Sequence, residues 1–79
     1  MNSIAVIGFG EFGRFVAGLA PTDAPVLIVS RSKISKTLLR PNYRQVDLRV
    51  AAAADCIFLC VPLEAYAETL TELKPYLNQ

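Results

Sequence analysis

Gly8, Gly10 and Gly13 stand in the spacing G-x-G-x-x-G directly behind the apolar run of residues 4–7. The chemistry this arrangement permits is the holding of a diphosphate. Glycine at position 8 allows a tight turn off a strand, glycine at 10 admits a phosphate against bare backbone, and glycine at 13 lets a following helix press onto a sheet. Free N–H groups and the positive dipole end at that helix's N-terminus then attract the anion. Phe9, Glu11 and Phe12 fill the positions between, so residues 8–13 form a candidate phosphate loop. Glu11 brings a negative charge into the first helical turn and is expected to point to solvent. The alternative is a glycine-rich turn that only packs tightly. A preceding strand, an amphipathic helix and a second strand at the right distance favour dinucleotide binding.

A second polar set lies about 20 residues further on, where an NAD site usually carries an Asp or Glu for the adenosine ribose. Here the chain reads Ser30, Arg31, Ser32, Lys33. A guanidinium and two hydroxyls are donors suited to a 2′-phosphate, and one charge-assisted bond is worth about 1.5–3 kcal/mol. The expected cofactor is therefore NADP rather than NAD. Residues 24–46 contain no acid and carry Arg31, Lys33, Lys36, Arg40 and Arg44; Lys36 and Arg40 are expected on a solvated face. A third set, Cys60, Val61, Pro62 and Leu63, closes another apolar run. In parallel α/β sheets ligands lie beyond the carboxyl ends of the strands, which places these four beside the nicotinamide half. Cys60 has no histidine or nearby lysine to activate it and reads as a wall residue, not a nucleophile. No residue of the chain is singled out as catalytic.

The elements that must hold these sets alternate. Residues 4–7, 25–30 and 56–61 are continuous apolar runs, the pattern of strands buried on both faces of a parallel sheet. Residues 43–46 read as a short further strand between the last two. Phe12, Phe15, Val16 and Leu19 form a helical stripe that Pro21 ends. Residues 33–40 are a basic, weakly helical piece, and Asp47 is placed to cap a turn through LRVAAAA. Pro62 suits a helix start; behind it Tyr66, Leu70, Leu73 and Leu77 make a stripe, which Pro75 is expected to break near its end. The expected fold is α/β, the first half of a Rossmann-like parallel sheet in strand order 3-2-1-4 with flanking helices. Its fourth strand is an open edge, which implies cover by the remainder of an enzyme or by a second subunit.

The chain has 79 residues, 53% of them hydrophobic and 19% charged, with mean hydropathy +0.38 and formal net charge +1. The chain is expected to be one partial domain, 1–79, with more apolar surface than so short a chain can bury. The near-neutral charge speaks against nucleic acid as a partner. Without histidine and with two cysteines, a tetrahedral metal site is not expected. Cys56 and Cys60, four apart on a strand, have Cα atoms about 13 Å apart, too far for a disulfide, and read as reduced core thiols. No membrane span or secretory signal is legible, so a cytoplasmic location is expected, or the plastid stroma for a plant protein.

The segments IAVIGFGEFGRFVA, VSRS and ADCIFLCVPLEAYAETLTELKPYL together resemble the N-terminal portion of the prephenate/arogenate dehydrogenase family, over nearly the whole chain. GFGEFG with SRS resembles the NADP-using arogenate branch. Related β-hydroxyacid dehydrogenases and pyrroline-carboxylate reductases share the first and third motifs. The resemblance implies an NADP-dependent oxidative decarboxylation in tyrosine biosynthesis, with Gly8 to Gly13 on the pyrophosphate, Ser30 to Lys33 on the 2′-phosphate and Cys60 to Leu63 on the nicotinamide side. It also implies a proton-accepting histidine and a helical dimerisation domain, neither of which the chain contains. The chain is therefore expected to be a cofactor-binding segment that does not turn over alone. Two alternatives stand beside it: a non-catalytic dinucleotide-sensing module, and the cofactor domain of a dehydrogenase for another small acid or imine.

Overall fold

The computed structural model describes residues 3–77. Four strands, β1 (Ile4–Ile7), β2 (Val26–Val29), β3 (Tyr43–Gln45) and β4 (Cys56–Leu59), form one sheet in the order β3-β2-β1-β4. All three pairings are parallel, and Ile7 is level with Val29 on one side and Leu59 on the other. The strands that flank β1 therefore end together. This is the expected Rossmann-like order, and it sets the crossover reversal between β1 and β4 at the carboxyl edge.

The two faces of the sheet are sealed unequally. On one, Val6, Val26 and Ile28 pack with Ala17, Ile34 and Tyr43; on the other, Ile7 packs with Ala52 and Leu73. Val6, Val26 and Ile28 are the largest fully buried side chains, each worth about 1.5–3 kcal/mol of transfer free energy. The first face is covered by α1 (Glu11–Gly18), the second by α2 (Leu48–Ala51) and α3 (Tyr66–Leu77).

Several sequence expectations change here. Of the Phe12, Phe15, Val16, Leu19 stripe only Val16 packs against the core, half-buried: helix α1 buries Gly13 and Ala17, while Phe12, Phe15 and Leu19 are 64, 62 and 70% exposed. The reason is distance. A Cβ on Gly13 would overlap the carbonyl oxygen of Gly8, so the helix lies too close to the sheet for aromatic rings between them. In α3 only Leu73 of the expected stripe is buried, and Tyr66, Leu70 and Leu77 are largely exposed. That helix also runs through Pro75 to Leu77, because a proline in the last turn forfeits a single backbone bond. The link from β2 to β3 is a 3-10 turn, Lys36–Leu38, not a full helix. Asp47 caps α2 as expected, accepting from Val50 N–H at 3.0 Å.

Strand β4 is the sheet's edge, and its outer position decides the fate of its side chains. Phe58 is 41% exposed and Cys56 is exposed, so the latter is no core thiol; both cysteines are free. Gly18 of α1 faces Arg40, 3.7 Å from its would-be Cβ, toward the β3 side. No helix among the described residues is long and apolar enough to cross a membrane.

Candidate functional site

The turn after β1 is dictated by backbone shape. Gly8 has φ +98°, the only positive φ among the described residues, a region that side-chain-bearing residues avoid. It is also boxed in: a Cβ there would sit 2.5 Å from the Cys60 carbonyl oxygen. Gly8 N–H donates to the Val29 carbonyl at 2.8 Å, and Cys60 N–H donates to the Ile7 carbonyl at 2.7 Å. These bonds join the ends of β1, β2 and β4 into one rim. Gly13, buried beneath the same turn, sets the depth at which α1 begins.

Gly10 is different in kind. Its φ of −82° is open to any residue, and a Cβ placed on it meets no protein atom within 4 Å. Neither fold nor packing requires glycine at this position. It is the N-cap of α1, and no side chain caps that helix, so first-turn amides are left to solvent or to a ligand. Bare backbone and uncapped amides face the same open space, a shape and polarity suited to an anion.

That space belongs to a cleft of about 980 Å³ between the ends of β1, β2 and β4, at the upper end of the size common for small-molecule sites. Its wall brings together most of the residues singled out in the sequence: Gly8, Phe9, Gly10, Glu11 and Phe12 from the first turn, Ser30 and Arg31 from the second, and Cys60, Val61, Pro62 and Leu63 from the third. Gly13 lies behind the wall, and Ser32 and Lys33 stand outside it, exposed on the loop after β2. Glu11 is exposed at the rim.

The β2 loop has internal order. Ser30 Oγ accepts from Ser32 N–H at 3.3 Å, and Ile34 is buried in the core at the far end. Arg31 is held between these points, exposed and bordering the cleft. Arg40, expected to be merely solvated, lies over the Tyr43 ring at 6.0 Å, and Tyr43 meets Phe9 edge-on at 6.1 Å. The glycine turn is thus buttressed from β3.

After β4 the chain leaves the sheet at Cys60, two residues before the expected end, and Pro62 opens a 3-10 turn, Leu63–Ala65, ahead of α3. Burial pushes the Cys60 thiol up from its ordinary pKa, which keeps it protonated and a poor nucleophile. Leu63 is 85% exposed at the mouth of the cleft.

The far wall was not anticipated. Leu48 of α2 and Tyr66, Thr69 and Glu72 of α3 also line the cleft. The i, i+3 spacing of Tyr66, Thr69 and Glu72 was a usable signal of a shared face, hidden because the leucines nearby suggested a different one.

Comparison with curated proteins and with solved structures returns no significant match. The family model for NADP oxidoreductases, coenzyme F420-dependent, matches residues 3–79. Membership of an NADP oxidoreductase family agrees with the cofactor part of the dehydrogenase resemblance and carries nothing about arogenate or prephenate as substrate. With a parallel 3-2-1-4 sheet, a glycine turn at its switch point and a match over almost its full length, the chain belongs to the family of NADP oxidoreductases described as coenzyme F420-dependent.

Proposed function

We propose that the chain is the NADP-binding part of a dehydrogenase, taking the diphosphate at Gly8, Gly10 and the first turn of α1 and the 2′-phosphate at Arg31. The observation that carries this reading is Gly10, a glycine with no conformational or packing reason of its own at the mouth of an uncapped helix. Arg31 supplies a fixed positive charge where a ribose-binding carboxylate would favour NAD. Ser30, Ser32 and Lys33 stand next to it as further donors, and residues 60–63 wall the nicotinamide side. Bound NADP supplies a hydride acceptor or donor at its nicotinamide; the protein's part is to orient that ring and exclude water from one face.

For the reaction itself, the motif resemblance favours oxidative decarboxylation of arogenate or prephenate. The family match favours a second reading, hydride exchange between NADP and coenzyme F420. The first reading calls for a proton acceptor for the substrate's ring hydroxyl, which the resemblance assigns to a histidine, and this chain has none.

Calorimetric titration of the protein with NADP and with NAD tests the cofactor. NADP binds more tightly, and Arg31→Ala removes that advantage, a loss of roughly 10- to 100-fold in NADP affinity with little change for NAD. Equal affinities in the wild type would refute it. NADPH formation from arogenate, prephenate or reduced F420 by an enzyme that carries this segment together with its catalytic part then separates the two reactions.

A further inference from the structure

Strand β3 contributes a residue that lies outside the cleft wall and still touches the loop that borders it. Gln45 pairs with Ile28 of β2 through the sheet register, and the next residue, Val46, donates its N–H to the Ile28 carbonyl at 2.8 Å. The Gln45 backbone is therefore fixed in the sheet. Its side chain reaches the loop after β2 and grips it twice: Oε1 accepts from Ile34 N–H at 3.3 Å, and Nε2 donates to the Ser32 carbonyl at 3.0 Å. Only one orientation of the amide satisfies both partners, because one needs an acceptor and the other a donor.

We infer that Gln45 is a positioning residue for nucleotide selectivity, holding the Ser30 to Ile34 loop in the shape that presents Arg31 to the 2′-phosphate of a nicotinamide dinucleotide. The inference rests on the NADP reading above. Arg31 itself is exposed and borders the cleft. Its aim is set by the backbone on either side, and that backbone is fastened at Ser30–Ser32, at Ser32–Gln45 and at Gln45–Ile34. A long cation on a loose loop meets a phosphate at an added entropic penalty, whereas a braced one is already in place. Glutamine is suited to the task because it spans two backbone groups of opposite polarity from a strand it does not distort.

Gln45→Met keeps the length of the side chain and removes both hydrogen bonds. Titrations with NADP and NAD should show NADP affinity lowered by about fivefold, the equivalent of one ordinary hydrogen bond, with NAD affinity unchanged and the far-UV circular dichroism retained. A general loss of structure would weaken both nucleotides alike, so the ratio of affinities is the decisive readout. A folded variant with the wild-type ratio overturns the role of Gln45 and leaves the NADP reading standing. A wild type that shows no preference for NADP overturns both. Should Gln45→Met fail to fold, amide exchange in the wild type decides: a slowly exchanging Ile34 N–H supports the brace, and one that exchanges at the rate of an open loop overturns it.

Discussion

Replacing Gly10 by alanine separates what the fold needs from what a ligand needs. On stability, two small effects oppose each other. Alanine restricts the unfolded chain, a gain of about 0.4–1 kcal/mol where the native φ suits it, and φ −82° does. Alanine is also a poorer N-cap than glycine, by roughly 0.5–1 kcal/mol. The added methyl meets nothing within 4 Å, so no steric contribution enters. The sum lies within about 0.5 kcal/mol of zero, and the melting temperature should move by less than about 4 °C. Binding is another matter. In the proposed binding mode the methyl occupies the surface on which the diphosphate lies, and one displaced hydrogen bond to a charged group is worth about 1.5–3 kcal/mol, at least about tenfold in Kd. Thermal melts and NADP titrations of the wild type and Gly10→Ala measure both quantities on the same samples. Full NADP affinity in a folded Gly10→Ala refutes the placement of the diphosphate. A stability loss above about 2 kcal/mol refutes the claim that the fold has no use for this glycine.

Gly13→Ala should behave in the opposite manner: its Cβ collides with the Gly8 carbonyl, backbone against backbone, and overpacking of this kind destabilises by about 1–3 kcal/mol, seen as a lower melting temperature before any ligand is added. Cys60 predicts a pH effect. Burial raises its pKa in the fold, so at alkaline pH the native state holds a proton that the unfolded state has released, and stability falls as pH climbs past the ordinary thiol value. Urea melts at rising pH should show a shallower decline in Cys60→Ala than in the wild type. In the same alkaline range iodoacetamide should modify the exposed Cys56 first.

β1, β2 and β4 were legible because each is a short apolar run bounded by Gly, Pro or a polar residue, the pattern of strands in a parallel sheet; β3, Tyr43–Gln45, carries one apolar residue and lacks that signal. Ile4–Ile7 is read without error from composition alone, and the parallel order follows from the crossovers between strands. The helical faces were misread for a physical reason. In α1 the most hydrophobic stripe, Phe12, Phe15 and Leu19, is exposed, because contact distance at Gly13 and Ala17 outranks hydrophobicity in choosing which face meets the sheet. Periodicity counts apolar residues; it does not know how closely two backbones approach.

The site divides along the same line. Local chemistry along the chain was enough to mark the glycine turn, the cation at Arg31 and the wall at Cys60 to Leu63, since each is a property of a few adjacent residues. Separate roles for Gly8, Gly10 and Gly13 were expected from their spacing; the folded chain adds the spaces around them, of which the one at Gly10 alone is open. Only the folded chain brings Gln45 to a loop 11 residues away and sets Thr69 and Glu72 opposite the glycines. Those relations depend on strand register and on the depth at which helices settle, quantities that arise between elements and are written in none of them singly.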